Sequence, residues 1–151
     1  MINLSKKAAD RFRINWNSLN ERKGDFWKID ITMIGKTPML LLIHEYTLFT
    51  LVRKKIHFET IFDVASEIRL CCSWYKYQGP ADAGRNTDRR LVGSINVVKI
   101  ATLFYDSPKN INSIEMSINN NFYTFLGNKK GDYGVPFEAV DKYVNGDWPK
   151  K

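Results

Sequence analysis

The spacing of apolar positions divides this chain into a strand-rich first third and a helix-rich remainder. Ala8, Ala9 and Phe12 give a narrow apolar face to a short helix over residues 6–12, with Ser5 at the N-cap and a basic outer face. Residues 15–25 are polar and form a loop. Trp27, Ile29, Ile31 and Met33 then alternate with Lys28, Asp30 and Thr32, the period of two expected of a half-buried strand over residues 26–34. Gly35-Lys36-Thr37-Pro38 turns the chain into a continuous apolar run at 39–43, suited to a central strand. A second β-prone run, rich in Thr, Leu and Phe, covers 46–52. Three strands in an antiparallel meander follow.

From Phe58 the period becomes helical. Phe58, Ile61, Phe62, Ala65, Ile68, Cys72 and Tyr75 recur at spacings of three and four, which predicts a helix over 58–77 lying on the sheet with Phe62 in the core. Gln78-Gly79-Pro80 ends it, and Ala81 and Ala83 are the only apolar residues before Arg90, so a long loop is expected there. Leu91, Ile95, Val98, Thr102 and Tyr105 suggest another helix, with Val97, Ile100, Leu103 and Phe104 on its other sides as in a buried element; a strand over 95–105 is the alternative. Ser107-Pro108 has the form of an N-cap followed by proline, and Ile111, Ile114, Ile118 and Phe122 mark one helical face beyond it. After a loop at 127–134, Pro136 opens a last helix with Phe137, Val140 and Val144, stopped by Asn145-Gly146. The pattern predicts an α+β fold: a small antiparallel sheet of three to four strands packed against several helices, in one domain spanning residues 1–151.

Composition narrows the class. A chain of 151 residues with 44% hydrophobic and 13% aromatic content buries a core without disulfides or metals. No apolar run reaches the roughly eighteen residues a membrane span needs, so no membrane partner is expected. The first residues, Met1-Ile2-Asn3-Leu4-Ser5-Lys6-Lys7, lack the apolar segment and cleavage site of an export signal. Cys71 and Cys72, adjacent within an apolar helical pattern, fit buried thiols in a reducing compartment. A cytoplasmic location is the expectation. The net charge of +7 is uneven, since residues 1–56 carry eleven Lys and Arg against five Asp and Glu. Lys6, Lys7, Arg11 and Arg13, then Arg22 and Lys23, then Arg53, Lys54 and Lys55 supply most of it. Such clusters attract phosphates if they share a face, and otherwise serve solubility.

The order of these features resembles an uncharacterised bacterial family known only as a domain of unknown function. The βα opening at 1–14, Trp27 before an apolar strand, Glu45-Tyr46-Thr47-Leu48 at a strand junction, the Gly93-Ser94-Ile95-Asn96 turn and a late helix running into 119–126 before Pro136 carry the likeness. The chain departs from the pattern at His44 and Val97. The resemblance implies a shared α+β fold and no particular substrate.

Candidate chemistry concentrates in few places. With only His44 and His57, and no His-Glu-x-x-His or Cys-x-x-Cys spacing, neither a metal nor another cofactor is expected. Ser94 lacks a nucleophile-elbow context and suits helix capping, as does Asn96. The polar stretch Arg85-Asn86-Thr87-Asp88-Arg89-Arg90 carries three arginines within six residues, able to grip phosphates with Ser94, Asn96 and the basic N-terminal set of Lys6, Lys7, Arg11 and Arg13. Asp82 and Asp88 compete as surface partners for those arginines. Tyr77 and Tyr123 lie off the cleanest apolar stripes and are candidates for stacking on unpaired bases. These features point first to a basic binding module for RNA, DNA or another phosphate-bearing ligand. A metal-independent ribonuclease of toxin type using His44, Glu45 or His57 is the first alternative. A protein-interaction module, such as an antitoxin or a phage or mobile-element accessory factor, is the second.

Overall fold

Every position from 39 to 43 is apolar because both faces of that strand are covered. In the computed structural model, which describes residues 1–77, 79–121, 123–127 and 134–147, strand β3 (Thr37–His44) lies between β2 (Trp27–Ile34) and β4 (Thr50–Lys54), antiparallel to both. Leu40 and Leu42 face one core, and Met39, Leu41 and Ile43 face the other. The first core is closed by α1 (Lys6–Arg11) and α2 (Ile61–Cys71), the second by α3 (Arg89–Thr102) and α4 (Ile111–Asn119). A last helix, α5 (Pro136–Val144), brings Phe137 and Tyr143 against Phe49 and His44.

The fold is α+β as expected, but among the described residues the sheet has five strands and is mixed. Strand β1 (Ile2–Leu4) runs parallel to β2, and β5 (Ala83–Gly84) runs parallel to β1, giving the order β4-β3-β2-β1-β5. Strands of three and two residues are too short to show alternation, and parallel pairing leaves no hairpin turn to read.

Several boundaries move for local reasons. The third strand begins at Thr50 rather than at 46, because Tyr46 to Leu48 form the turn out of β3. The first hairpin closes on Gly35 and Lys36, with Gly35 at φ +61° and its ideal Cβ position only 2.0 Å from the Asp106 carbonyl oxygen, so any side chain there collides. Helix α2 starts at Ile61, where Thr60 and Asp63 form a capping box, and it ends at Cys71, leaving Trp74 to Tyr77 in irregular chain. Phe62 is 65% exposed instead of buried. Val64, Ala65, Ile68 and Cys72 define the covered face, and Phe62 lies about 100° round the helix from Ile61. The stretch 95–102 is helical, within an α3 that Asp88 caps well ahead of it, and residues 103–105 lie in the turn beyond the helix. Phe122 and most of the 127–134 loop lie outside the described residues. Among the described residues no helix is long and apolar enough to cross a membrane.

The alternating face of β2 is not solvent-facing. Lys28, Asp30 and Thr32 are buried: Asp30 and Thr32 meet α3, at 3.2 Å from Lys99 and 3.3 Å between the Thr32 and Thr102 hydroxyls, and Lys28 meets the loop before it. A polar layer therefore separates α3 from β2, which leads directly to the site described below. The packing makes two substitutions diverge. Ile68→Ala is expected to cost about 2 to 5 kcal/mol and Phe62→Ala less than about 0.5 kcal/mol, read by urea denaturation. Equal losses would mean the helix presents a different face.

Candidate functional site

At the end of β3 the chain turns through Glu45-Tyr46-Thr47-Leu48 into β4, held by Leu48 N–H donating to the His44 carbonyl and His44 N–H donating to the Phe49 carbonyl. Leu48 adopts φ +57°, unusual for a branched residue, yet its side chain is fully buried in the second core. Burial offsets the backbone cost and fixes the turn, and with it the two residues ahead, whose side chains part company.

Glu45 is 3% exposed, and its carboxyl is gripped from two elements. Asn3 on β1 donates to Oε2 at 2.7 Å, and Asn86 in the loop before α3 donates to Oε1 at 2.5 Å. Each amide is itself fixed. The Arg22 Nε donates to the Asn3 oxygen at 2.7 Å, and the Asp88 N–H donates to the Asn86 oxygen at 3.0 Å. The buried Lys28 ammonium donates to the Asn86 carbonyl at 3.0 Å. Asp88 then caps α3 through the N–H groups of Arg90 and Leu91. Burial pushes the Glu45 carboxyl up to about 7, against the opposing pull of the two amide hydrogen bonds and of Lys28 and Arg22. Burial also lowers Lys28.

Glu45 lines a cleft of about 320 Å³. Asn86 and Tyr46 line it with Glu45, Lys23 and Asp88 meet at its rim at 3.0 Å, and Leu91, Phe125 and Arg90 complete the wall. The Arg90 guanidinium lies 5.1 Å over the Phe125 ring and donates to the Phe125 carbonyl at 3.2 Å. A carboxyl with a near-neutral titration point, two cations, a phenol and aromatic surface therefore share one concavity.

His44 points elsewhere. It is fully buried among Trp27, Tyr46, Trp74, Tyr75 and Tyr143. Its Nε2 donates to Asp25 at 2.6 Å, and its Nδ1 accepts from the Thr47 hydroxyl at 2.8 Å, an assignment set by the carboxylate being an acceptor and by Phe49 N–H donating to the same hydroxyl oxygen. Tyr143 donates to the other Asp25 oxygen. Burial holds the imidazole below its ordinary range. His44 locks the aromatic box rather than serving a cleft. His57 is exposed in a single turn at Lys55–His57, beyond the end of β4 that pairs with Met39, so it sits at the opposite end of the strand from Glu45. The three candidate catalytic groups are thus not assembled.

The basic candidates divide between two places. Lys6 and Arg85 converge on Trp16, at 4.8 and 4.6 Å from the ring centroid, and Arg85 also lies 3.7 Å from Glu21. Arg90 belongs to the cleft, and Arg89 is exposed in the first turn of α3. The two places are joined by paired loops, with Arg22 N–H donating to the Arg85 carbonyl, Arg85 N–H to the Asn20 carbonyl, and Glu21 accepting from Thr87. Arg11 instead donates to the Phe58 carbonyl and shares a depression with Arg13 and Glu59, while Lys7 is exposed on α1. Ser94 and Asn96 lie inside α3 and cap nothing. The Ser94 hydroxyl donates to the Arg90 carbonyl one turn back, and Asn96 is exposed. Tyr123 is 3% exposed with its hydroxyl on the Ile118 carbonyl, which removes it as a stacking surface, whereas the half-buried Tyr77 stacks on Tyr75.

Asn3 and Lys28 complete the site without having stood out in the sequence, and Lys23 had been named only within a basic cluster. Asn3 had a signal, being the one polar residue in an otherwise apolar strand opening. Among the described residues no group of three or more His, Cys, Asp or Glu side chains is placed to hold a metal ion. Searches of family models, curated proteins and solved structures find no match to this chain.

The raised Glu45 carboxyl makes stability depend on pH. Between about 4.5 and 7 the folded chain keeps a proton that the unfolded chain releases, so stability is fully present below that window and falls as pH rises through it, by about 3 kcal/mol in all. His44 acts oppositely, destabilising the fold as pH drops below about 6.5, because only the unfolded chain takes its proton there. The difference between wild type and Glu45→Gln isolates the first effect. Urea titrations across pH 4.5–7.5 are expected to show wild type losing about 3 kcal/mol relative to the variant, and parallel profiles would mean Glu45 titrates ordinarily.

Proposed function

We propose that the protein is a binding module for a phosphate-bearing ligand, a single-stranded nucleic acid above all, seated along the paired loops 15–25 and 82–90. The observation that carries this reading is the Glu45 cleft itself, lined by Lys23 and by Arg90 over Phe125, and tied by the hydrogen-bonded loop pair to a second cation–aromatic cluster in which Lys6 and Arg85 lie over Trp16. Guanidinium groups over aromatic rings suit a strand that presents phosphates and unstacked bases in turn. Two cations are already engaged, Lys23 by Asp88 and Arg85 by Glu21, so the attraction rests chiefly on Lys6, Arg89 and Arg90.

One observation favours a second reading. A buried carboxyl that burial pushes up to about 7, in a cleft that Arg90 also lines, has the properties of a general base for metal-independent phosphodiester cleavage. A single experiment separates the readings: labelled single-stranded RNA is incubated with the protein in excess chelator and followed for retention and for chain length. Retention of intact RNA supports the binding module, cleavage supports the enzyme, and loss of both retention and cleavage rejects the nucleic-acid reading.

The binding reading also fixes a salt dependence. With about three phosphates neutralised on a single strand, the logarithm of affinity is expected to fall against the logarithm of salt with a slope near −2, and Arg90→Ala to reduce it by about 0.7 without unfolding the protein. A salt-independent affinity, or an unchanged slope in that variant, would place the ligand elsewhere.

A further inference from the structure

Resting on the reading above, we infer that the Glu45 cleft is a base-reading subsite selective for guanine. In its ionised form, which prevails above about pH 7, the Glu45 carboxylate offers about four lone-pair positions, and Asn3 and Asn86 occupy one on each oxygen, at 2.7 and 2.5 Å. One acceptor position therefore remains on each oxygen of a group that lines the cavity. Two side-by-side acceptors demand two side-by-side donors, because a single donor leaves a desolvated lone pair unmatched.

Guanine is the common base that meets this demand. Its Watson–Crick edge sets the N1–H beside the N2 amino group. Adenine and cytosine each set one amino group beside a bare ring nitrogen, and uracil sets one N–H between two carbonyl oxygens, so each turns an acceptor toward the carboxylate. A guanidinium or ammonium ligand would supply donors too, but Arg90 opposes a cation and favours a ligand that also carries phosphate, Lys23 being already paired with Asp88. A guanine nucleotide combines both needs. The cavity, about 320 Å³, lies at the lower end of small-ligand pockets, enough for one nucleotide and no more.

The amides are held for this task as well. The Asn3 oxygen accepts from Arg22 and the Asn86 oxygen accepts from the Asp88 N–H, so neither amide can flip to present an acceptor, and the carboxylate is kept as the sole acceptor facing the ligand from this trio. That preorganisation belongs to a reading site more than to a strand junction needing only local satisfaction.

Calorimetric titration of the full chain with GMP, IMP, AMP, CMP and UMP tests the assignment, alongside RNA retention. GMP is expected to bind about ten-fold tighter than IMP, which lacks only the N2 amino group, and about a hundred-fold tighter than AMP. Equal affinities for all five, or retention of RNA with no nucleotide bound, would overturn base reading while leaving the phosphate-binding module in place. Loss of both nucleotide and RNA binding would overturn the two together. Glu45→Gln, shown folded by circular dichroism, should erase the gap between GMP and IMP, and a gap that persists would overturn the role of Glu45. The GMP–IMP comparison needs no variant, so it decides the matter even if Glu45→Gln does not fold. Arg90→Ala should weaken all five nucleotides in proportion, and selective loss of GMP binding in that variant would transfer the reading away from Glu45.

Discussion

One buried carboxyl ties the fold to its site. Glu45 leaves the end of β3, takes an amide from β1 and another from the loop that launches α3, and so joins three parts of the chain separated by more than forty residues. An ionised group in that position is costly unless its lone pairs are matched, and the matching extends outward through Arg22, Lys28 and Asp88. The order of the sheet follows from the same requirement. Strand β1 must lie beside β2 for Asn3 to reach Glu45, and the Asp88 cap must lie where the Asn86 carbonyl meets Lys28.

The sheet's two-sided burial gives this network its rigidity. Trp27, Leu40 and Leu42 anchor one face under α1 and α2, while Met39, Leu41 and Ile43 anchor the other under α3 and α4. Glu45 thus sits at the edge of a packed layer rather than on a free loop. His44, its neighbour, supplies the second anchor through Asp25 and Tyr143 and holds α5 against the same turn. Adjacent residues divide the work, one fixing the turn from below and the other facing the cleft.

Much of the fold was legible from periodicity. The apolar run at 39–43, the alternation at 27–33 and the stripe from Leu91 to Thr102 correspond to β3, β2 and the buried face of α3. Phe62 misled because a stripe of threes and fours admits both 61 and 62, and only packing turns Ile61 toward the core and leaves Phe62 outside it. The polar face of β2 misled more deeply, since alternation reports which residues differ and not whether the polar side meets water or another polar layer. The site was half legible: Glu45, Asn86 and Arg90 were among the candidates, but the pairing of Glu45 with Asn3 is a contact across β1 and the β3–β4 turn that no local spacing encodes. His57 and Tyr123 were chosen for chemical type, and their positions at the far end of β4 and inside the second core are matters of tertiary placement.

The chemistry of the cleft depends on a Glu45 carboxyl that is desolvated and held by two amides. Carbon-13 NMR titration of that carboxyl in the intact protein measures it directly. A midpoint near 7 is the predicted result. A midpoint in the ordinary range near 4.5 would mean that the carboxyl is hydrated, and the cleft would lose the group on which its chemistry depends.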